Sequence, residues 1–350
     1  MRRLSKLAAV LFTGSLLLTA CGGGADEEAG GTGGAQGSAA ASALQVAIAY
    51  DVGGRGDQSF NDAAAAGLDE ATRTLGLDNP QELEATDGET DADRQERLRL
   101  LADGGYNPII AVGFVYSEAL ATVAPDYPDT RFAIIDDALA TGDNIANLVF
   151  AEQEGSFLVG AAAALKSTTA NVGFVGGVET PLIKKFEAGY TAGAKAVNPA
   201  ITVQVQYLTQ VPDFSGFGDP AKGRTAAQGM YDAGADIVYQ AAGGSGSGVF
   251  EAAAESSKFA IGVDSDQYKT ADPAVREVII TSMVKKVDVA VSDFLTSVSE
   301  DNFTAGELVY DLEKDGVGYS TTGGKIDDIV PQLDTFKAQI VTGEITVPSS

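Results

Sequence analysis

The 350-residue sequence contains no histidine and a single cysteine. Without histidine there can be no Ser-His-Asp triad and no Cys-His pair, and the usual zinc and iron sites are also excluded. No G-x-x-x-x-G-K-[ST] segment occurs, which excludes an ATPase with a Walker-type phosphate loop. Hydrolysis by a pair of carboxylates remains chemically possible.

Basic residues are few, with 23 lysines and arginines against 49 aspartates and glutamates and a net charge of −26. Nucleic-acid binding requires a basic patch that can neutralise phosphates, so this balance argues against a nucleic-acid partner. A solvated acidic surface accounts for the excess charge. The apolar fraction, 45%, is ordinary for a folded protein, and the length is comfortable for two α/β lobes.

The first 20 residues have the features of an export signal. Arg2, Arg3 and Lys6 precede an apolar run from Leu7 to Ala20 that is too short to span a bilayer. The last four residues of this run and the cysteine after them, L-L-T-A-C (residues 17–21), resemble a bacterial lipobox. That resemblance implies cleavage before Cys21 and a lipid anchor on this residue, whereas the alternative is an ordinary signal peptide followed by a chance cysteine.

Residues 21–43 consist mainly of glycine, alanine and serine after the cysteine and show no apolar periodicity. Such a composition cannot bury a core, and it predicts a flexible linker. A chain of this length reaches about 25 Å, so it would tether a soluble domain to a membrane.

From residue 44 onward, apolar strand-like runs alternate with helical segments, which is typical of parallel sheets covered on both faces. The predicted strands are Leu44–Tyr50, Gln81–Thr86, Pro108–Gly113, Arg131–Ile135, Ala146–Phe150, Asn171–Gly176, Ile201–Tyr207, Asp236–Ala241, Phe259–Val263, Val278–Ser282 and Glu307–Tyr310. The predicted helices are Asp62–Leu75, Ala92–Asp103, Tyr116–Ala124, Gln153–Leu165, Pro181–Val197, Pro220–Ala233, Gly248–Ser257, Asp272–Arg276, Lys285–Val298 and Ile326–Val341.

The economical arrangement is two lobes of similar plan joined by three chain crossings near residues 148, 264 and 300. Residues 44–148 with 265–299 are predicted to form the first lobe, and residues 149–264 with 300–346 the second.

The segment D-V-G-G-R-G-D-Q-S-F-N, residues 51–61, connects the first predicted strand to the first helix. Ligands of open α/β sheets bind outside the carboxyl ends of the strands. This loop offers hydrogen-bond donors and acceptors and one aromatic ring, so we predict that it forms half of a small-molecule site. Asn61 either caps the helix or presents both a donor and an acceptor to a ligand.

Two phenylalanines have matched positions in the two halves. Phe60 lies ten residues after Tyr50, where the first strand of the first half ends, and Phe186 lies ten residues after Gly176 in the second half. If the lobes face each other, the two rings can close on a flat ligand. Either ring alone would more often belong to a hydrophobic core.

Acidic residues follow several predicted strands, namely Asp51, Asp136, Asp137 and Asp264. An ionised aspartate is purely an acceptor, so it suits ligand hydroxyl and ring N–H groups and opposes a phosphate. Helix capping is the competing role for each. Lys285, at the start of a late helix, either donates to a ligand hydroxyl or pairs with an aspartate.

A glycine run from Gly243 to Gly248 follows a strand and opens a helix, with Asp264 downstream. It imitates a dinucleotide fingerprint, but after Gly244 and Gly246 the third glycine position holds Val249. We therefore expect no nicotinamide or other cofactor. The run instead suits close backbone approach to a ligand, or a tight turn.

Together these segments resemble the basic membrane protein family of bacterial lipoproteins, the nucleoside-binding components of ABC importers. The matching stretches are D-V-G-G-R-G-D-Q-S-F-N (51–61), F-A-I-I-D (132–136), E-G-S-F-L-V-G (154–160), V-G-F-V-G-G (172–177), P-L-I-K-K-F-E-A-G-Y (181–190), A-A-G-G-S-G-S-G-V-F-E-A-A (241–253), I-G-V-D-S-D-Q-Y (261–268) and T-S-M-V-K-K-V-D (281–288). The resemblance implies a type I periplasmic binding fold, an α/β architecture of two Rossmann-like lobes with parallel sheets and a ligand cleft between them.

The resemblance also implies roles for individual residues. Phe60 and Phe186 would sandwich a nucleoside base, and Asn61 and Asp136 would contact its edge, although Asp137 beside Asp136 competes for that role. The residues implied around the rest of the ligand are Asp51, Ser59, Gly243 or Gly244, Asp264 and Lys285, with the last two at the ribose.

The predicted function is therefore an exported, monomeric, lipid-anchored receptor that is not an enzyme. It would capture a nucleoside and deliver it to the permease subunits of an ABC importer. One alternative is the same scaffold binding a sugar or a signalling molecule. The other is an exported nucleoside hydrolase that uses carboxylates.

Overall fold

The computed structural model describes residues 44–86 and 88–350. The predicted signal peptide, Cys21 and the linker through residue 43 lie outside the described residues. Within the described part of the chain, no helix combines the length and the apolar character needed to cross a bilayer.

Twelve strands and ten α-helices are described in residues 44–86 and 88–350. The strands are β1 (Ala47–Ala49), β2 (Gln81–Leu83), β3 (Ile109–Ala111), β4 (Phe132–Ile135), β5 (Ile145–Phe150), β6 (Asn171–Glu179), β7 (Thr202–Gln210), β8 (Ile237–Ala241), β9 (Phe259–Asp264), β10 (Ile279–Lys285), β11 (Gly306–Tyr310) and β12 (Val317–Tyr319). The helices are α1 (Phe60–Leu75), α2 (Asp91–Asp103), α3 (Ser117–Val123), α4 (Glu152–Lys166), α5 (Pro181–Val197), α6 (Pro220–Asp232), α7 (Gly246–Glu255), α8 (Gln267–Thr270), α9 (Val287–Ser299) and α10 (Val330–Val341).

The strands form two six-stranded sheets of the same plan, and each sheet with its flanking helices is one lobe. The order is β11-β5-β4-β3-β1-β2 in the first and β12-β10-β9-β8-β6-β7 in the second. Every pairing of the first sheet is parallel, and in the second β12 alone runs antiparallel to its neighbour. Strands β1, β3 and β4 are wholly buried, as expected of apolar runs in a sheet covered on both faces.

Local sequence fixes several helix ends. Thr90 and Asp93 form a reciprocal capping box at the start of α2. Helix α5 begins at Pro181, and the Thr180 hydroxyl accepts a hydrogen bond from the Ile183 amide at 3.2 Å. Gly76 ends α1 in the left-handed conformation, at φ 66°.

Two helix pairs approach very closely. A Cβ built on Gly160 of α4 would lie 2.1 Å from the Tyr190 carbonyl oxygen of α5, and one built on Gly67 of α1 would lie 2.4 Å from the Asp288 carbonyl oxygen of α9. Glycine at these positions therefore permits backbone contact between helices. The contact between α1 and α9 places α9 on the first lobe.

The predicted distribution of two late strands between the lobes is wrong. Strand β10, which we assigned to the first lobe within residues 265–299, pairs with β9 in the second sheet. Strand β11, which we assigned to the second lobe within residues 300–346, pairs with β5 in the first. The chain therefore crosses between sheets after β5, after β10 and after β11, and two crossings predicted near 264 and 300 fall later.

Other differences are local. A short helix, α8, precedes the segment predicted as the helix Asp272–Arg276, where the structure has a 3-10 turn from Arg276 to Val278. Strand β12 was not predicted because its three residues carry no alternating pattern. Strand β6 continues to Glu179, so Phe186 lies in the second turn of α5 rather than at its start.

Candidate functional site

A cavity of about 540 Å³, a figure that includes its open mouth, lies where the carboxyl ends of strands from both sheets meet. The predicted residues that line it are Asp51, Phe60, Asn61, Asp136, Phe186, Gly243, Asp264 and Lys285. Ser59 and Gly244 were predicted with them but do not line the cavity.

The loop from Asp51 to Ser59 is held in place by side chains at the start of α1. The Asn61 amide accepts a hydrogen bond from the Asp51 amide N–H at 3.0 Å and donates to the Val52 carbonyl and the Asp57 carboxylate at 3.3 and 3.0 Å. Asp57 also accepts from the Ser59 amide at 2.8 Å. Both N–H groups of Asn61 are therefore committed to the loop, so this side chain braces the site as well as lining it.

Burial dominates the electrostatics of this loop. Asp51 is only 7% exposed, and burial raises the pKa of its carboxyl to about 7, partly opposed by the hydrogen bond from the Val52 amide. Burial likewise raises the pKa of Asp57 to about 6 against the hydrogen bonds it accepts. Both groups therefore favour the neutral form more than an exposed aspartate does.

Lys285 ends β10 at the centre of the cavity, with 2% of its surface exposed. Its ammonium donates to Asp136 Oδ2 at 2.5 Å and lies 3.8 Å from Asp264 Oδ1. Burial acts to lower the pKa of Lys285, but the carboxylates of Asp136, Asp264 and Glu152 outweigh it and raise that pKa. Lys285 is therefore a buried cation that connects strand ends of the two lobes.

Asp136 and the adjacent Asp137 have different roles. Asp136 faces the cavity, and its Oδ1 atom is buried without a hydrogen-bond partner among the described residues. Asp137 Oδ2 instead accepts from the Leu139 and Ala140 amides at 3.0 and 2.8 Å, which caps a turn. Of the two carboxylates, only that of Asp136 lines the cavity.

Asp264 connects the second lobe to the first. Its Oδ2 accepts the Ser59 hydroxyl at 2.7 Å, and burial raises the pKa of its carboxyl. Ser59 is fully buried, so it supports Asp264 rather than facing the cavity. Two further contacts accompany this one: the Ser265 hydroxyl donates to the Ser59 carbonyl at 3.2 Å, and the side-chain amide of Gln267 donates to the Gln58 carbonyl at 2.9 Å.

The two predicted phenylalanines come from different lobes and line the same cavity. The Lys285 ammonium lies 4.7 Å from the Phe60 ring centroid and 5.6 Å from that of Phe186, so the sum, about 10 Å, is an upper limit on their separation. A third ring, Phe150 at the end of β5, lies 5.2 Å from the same ammonium. Aromatic faces attract cations, which helps to compensate the buried charge.

Glu152, at the start of α4, is a buried carboxylate near this cluster that the sequence did not single out. It is 1% exposed and accepts from the Lys185 ammonium at 3.1 Å. Burial raises its pKa to about 7, helped by Asp136 and opposed by Lys285 and Lys185. The cluster of charged groups around Lys285 therefore holds more acidic than basic groups.

The glycine run forms the cavity wall through its backbone. Gly243 has φ 55°, a conformation that favours glycine, and a Cβ there would lie 3.1 Å from the Phe217 carbonyl oxygen. A Cβ on Gly244 would lie 3.4 Å from the same atom. The run thus packs against a second-lobe segment that contributes Phe217 to the lining.

Several lining residues were missed by sequence reasoning: Val52, Asp57, Phe114, Leu182, Ile183, Phe217, Ala241 and Val263. Phe114 follows the carboxyl end of β3, so the strand-end rule applied to every strand would have found it. Phe217 lies in a turn-rich segment after β7 and carries no such signal. Among the described residues, no cluster of three or more His, Cys, Asp or Glu is arranged to hold a metal ion.

Two lobes of matching topology around a shared cavity define a class, the solute-binding proteins with a type I periplasmic binding fold. A solved ABC-transporter solute-binding protein from Aeropyrum pernix superposes with a TM-score of 0.75 at 31% identity, over 88% of this chain and 94% of that one. The predicted fold is confirmed. The chain belongs to the family described as ABC transporter substrate-binding protein PnrA-like, which it matches over residues 44–350.

Named relatives agree with this membership. The CD4+ T-cell-stimulating antigen of Listeria monocytogenes is 35% identical over 97% of this chain and 96% of its own length. The ABC transporter nucleoside-binding protein BmpA of Lactococcus lactis is 34% identical over 87% of this chain and 89% of its own. An uncharacterized lipoprotein of Pyrococcus furiosus is 32% identical over 83% and 76%, respectively. The protein is therefore a substrate-binding component of an ABC transporter, which implies a small-molecule ligand and a permease partner.

Proposed function

We propose that this protein captures a nucleoside between its lobes and delivers it intact to its permease. The observation that carries the proposal is the pairing, on one cavity, of aromatic rings from both lobes with buried carboxylates. A heterocyclic base offers two π-faces, whereas its ribose offers hydroxyl donors, and this lining suits both. The Lactococcus lactis relative, whose name describes nucleoside binding, supports the same class of ligand.

The base would lie between Phe60 and Phe186, because each ring belongs to a different lobe and closure brings them together. The unpartnered Asp136 Oδ1 would accept a ring N–H, since a buried acceptor gains most from a ligand donor. Burial raises the pKa of Asp51 to about 7, so its carboxyl can donate to a base nitrogen or oxygen when protonated or accept when ionised. Asn61 holds the loop that presents Phe60 and Asp51.

The ribose would lie beside Asp264 and Lys285. One ammonium proton of Lys285 is directed at Asp136, which leaves two N–H groups for hydroxyl oxygens. Asp264 would accept from a hydroxyl while Ser59 keeps its second oxygen in position. Backbone approach at Gly243 or Gly244 would complete this end of the site.

The same groups discriminate against phosphate. Asp136 and Asp264 line the cavity, and its lysine is already paired with Asp136. A nucleotide would bring two further negative charges into a buried acidic site, which is unfavourable. We therefore propose that nucleosides bind and nucleotides do not.

We also propose that the mature protein is a monomer anchored by a lipid on Cys21 and that it catalyses no reaction. The L-L-T-A-C sequence supports the anchor, as does the lipoprotein relative. A receptor needs only lobe closure around the ligand, which the permease can then recognise.

Titration calorimetry with inosine tests the proposal, using Asp264→Asn as the variant. Asparagine adopts the left-handed backbone of this position readily, so the change removes charge and keeps shape. We expect the variant to lose on the order of 2 kcal/mol of binding free energy. Equal affinity in both proteins would remove Asp264 from the site.

A second assay separates receptor from hydrolase. The protein is incubated with inosine and the products are analysed by chromatography. Recovery of intact inosine supports the receptor, whereas release of hypoxanthine would show that the protein is a hydrolase. Binding of a free sugar in preference to inosine in the calorimeter would instead favour a sugar receptor.

A further inference from the structure

The segment Val211–Asp219 joins β7 to α6 in the second lobe and contains a 3-10 helix, Phe214–Phe217. Residues three apart in a 3-10 helix lie on the same side. Phe214 and Phe217 are therefore presented together toward the cleft. Phe217 packs against the second-lobe core and lines the cavity.

Phe214 makes a different contact, because its ring packs on the other lobe. It lies against the buried cluster formed by β1, β3, β4 and helices α2 and α3 of the first lobe. Its ring centroid is 6.0 Å from that of Phe114, with an interplanar angle of 66°, an edge-to-face arrangement. Phe214 is not among the residues that line the cavity.

The segment is fixed to its own lobe by the glycine run. The Ser245 hydroxyl donates to the Gly216 carbonyl at 2.7 Å and accepts from the Asp219 amide at 2.7 Å. Ser245 is fully buried, and the Phe217 ring packs directly on Gly177. Because Gly216, Phe217 and Asp219 are held to the second lobe, Phe214, which belongs to the same 3-10 helix, moves with that lobe.

We propose that Phe214 is a positioning residue that holds the two lobes closed by docking on Phe114. This inference rests on the proposed function, since it concerns how long a captured ligand is retained. Two of the polar contacts between the lobes, Ser59 with Asp264 and Lys285 with Asp136, involve cavity residues and cannot be altered without altering the site. The aromatic contact can be removed at Phe214, which does not line the cavity, while its partner Phe114, which does, is kept.

A contact that exists only when the lobes are closed stabilises the closed complex and leaves the encounter with ligand unchanged. Its loss therefore appears in the dissociation rate rather than in the association rate. Loss of the edge-to-face pair and of the apolar contact around it should raise the dissociation rate about threefold to tenfold.

The test is stopped-flow measurement of inosine association and dissociation with Phe214→Ala, and Phe259→Ala is the matched control. Phe259 also lies in the second lobe but is 44% exposed at the start of β9. We expect dissociation to be about threefold to tenfold faster for Phe214→Ala, with association within about twofold, and the control to match wild type. Phe214→Tyr should restore slow dissociation. A wild-type dissociation rate in Phe214→Ala would overturn the proposal.

A measurement without ligand tests the contact of Phe214 with Phe114, which we call the latch, separately from nucleoside binding. Spin labels are placed on exposed positions of the two lobes, Leu139→Cys and Val205→Cys, in the full chain carrying Cys21→Ser. We expect Phe214→Ala to shift the inter-label distances to longer values. If wild type binds no nucleoside, the proposed function fails, yet the distances still test the latch. Identical distance distributions in the labelled wild type and the labelled Phe214→Ala variant would refute the latch.

Discussion

Asp136 and Asp264 occupy equivalent places in the two lobes. Asp136 directly follows β4 and Asp264 ends β9, which are the fourth strands of the two sheets in chain order, and each residue has a left-handed backbone, with φ 64° and 61°. Both carboxylates lie against the Lys285 ammonium, at 2.5 and 3.8 Å. A left-handed aspartate is uncommon, and strained backbone of this kind concentrates at ligand sites. The two lobes thus present matched acids to one buried cation.

The first prediction concerns Asp136 and its neighbour Asp137. Asp136→Asn removes the closest counter-charge from Lys285, whose side chain is 2% exposed. Breaking one partner of a buried ion pair is costly, so we expect unfolding free energy to fall by about 3 kcal/mol and nucleoside affinity to fall at least about tenfold. Urea unfolding and titration calorimetry measure the two effects.

Asp137→Asn is the matched control, because an asparagine carbonyl can still accept from the Leu139 and Ala140 amides. We expect it to cost less than about 1 kcal/mol of stability and to leave affinity unchanged. The reverse pattern, with binding lost in Asp137→Asn and kept in Asp136→Asn, would show that the wrong aspartate has been assigned.

The second prediction compares two glycines. A Cβ on Gly177 would lie 2.4 Å from the Phe217 ring, so Gly177→Ala must displace a cavity wall. We expect a loss of about 1–3 kcal/mol in stability from overpacking, together with weaker nucleoside binding. Thermal unfolding and calorimetry report these changes.

Gly229→Ala provides the contrast, since no atom lies within 4 Å of a Cβ at this position in α6. Alanine is favoured over glycine inside a helix, so this variant should gain about 0.5–1 kcal/mol of stability without any change in affinity. Equal effects of the two substitutions would argue that the space around Phe217 is not constrained.

The third prediction concerns pH and Glu152. Its pKa is raised from 4.5 to about 7 on folding, so the folded chain binds the proton more tightly than the unfolded chain. Stability from this group is therefore present at low pH and is lost as the pH rises through about 7. Asp51 and Asp57 act in the same direction.

Glu152→Gln removes one of these groups. As the pH rises from 5 to 8, we expect the unfolding free energy of wild type to fall by about 2 kcal/mol more than that of the variant. Urea unfolding at each pH measures this difference. Parallel stability curves for the two proteins would mean that burial does not shift this carboxyl.

Much of the fold and of the cavity could be predicted because the residues that specify these features are close together in the sequence. Apolar runs bounded by turn residues located most strands, and the rule that ligands bind at carboxyl ends of strands singled out Asp51, Asp136 and Asp264. The family and the two-lobed architecture followed from motifs and are confirmed. Individual ligand contacts stay predictions.

What the sequence did not predict depends on contacts that are distant along the chain. The pairing of β10 with β9 and of β11 with β5 places these strands in sheets that their own residues do not specify. Phe217 enters the cavity because Ser245 and Gly177 position its segment, and Glu152 is buried through the junction of β5 and α4. None of these relationships leaves a periodic pattern.

Native mass spectrometry of the purified protein mixed with inosine, ribose and inosine monophosphate tests the central claim most directly. We predict that each chain binds one inosine of unchanged mass and no ribose or nucleotide. A spectrum in which the nucleotide or ribose is retained and inosine is not would contradict it.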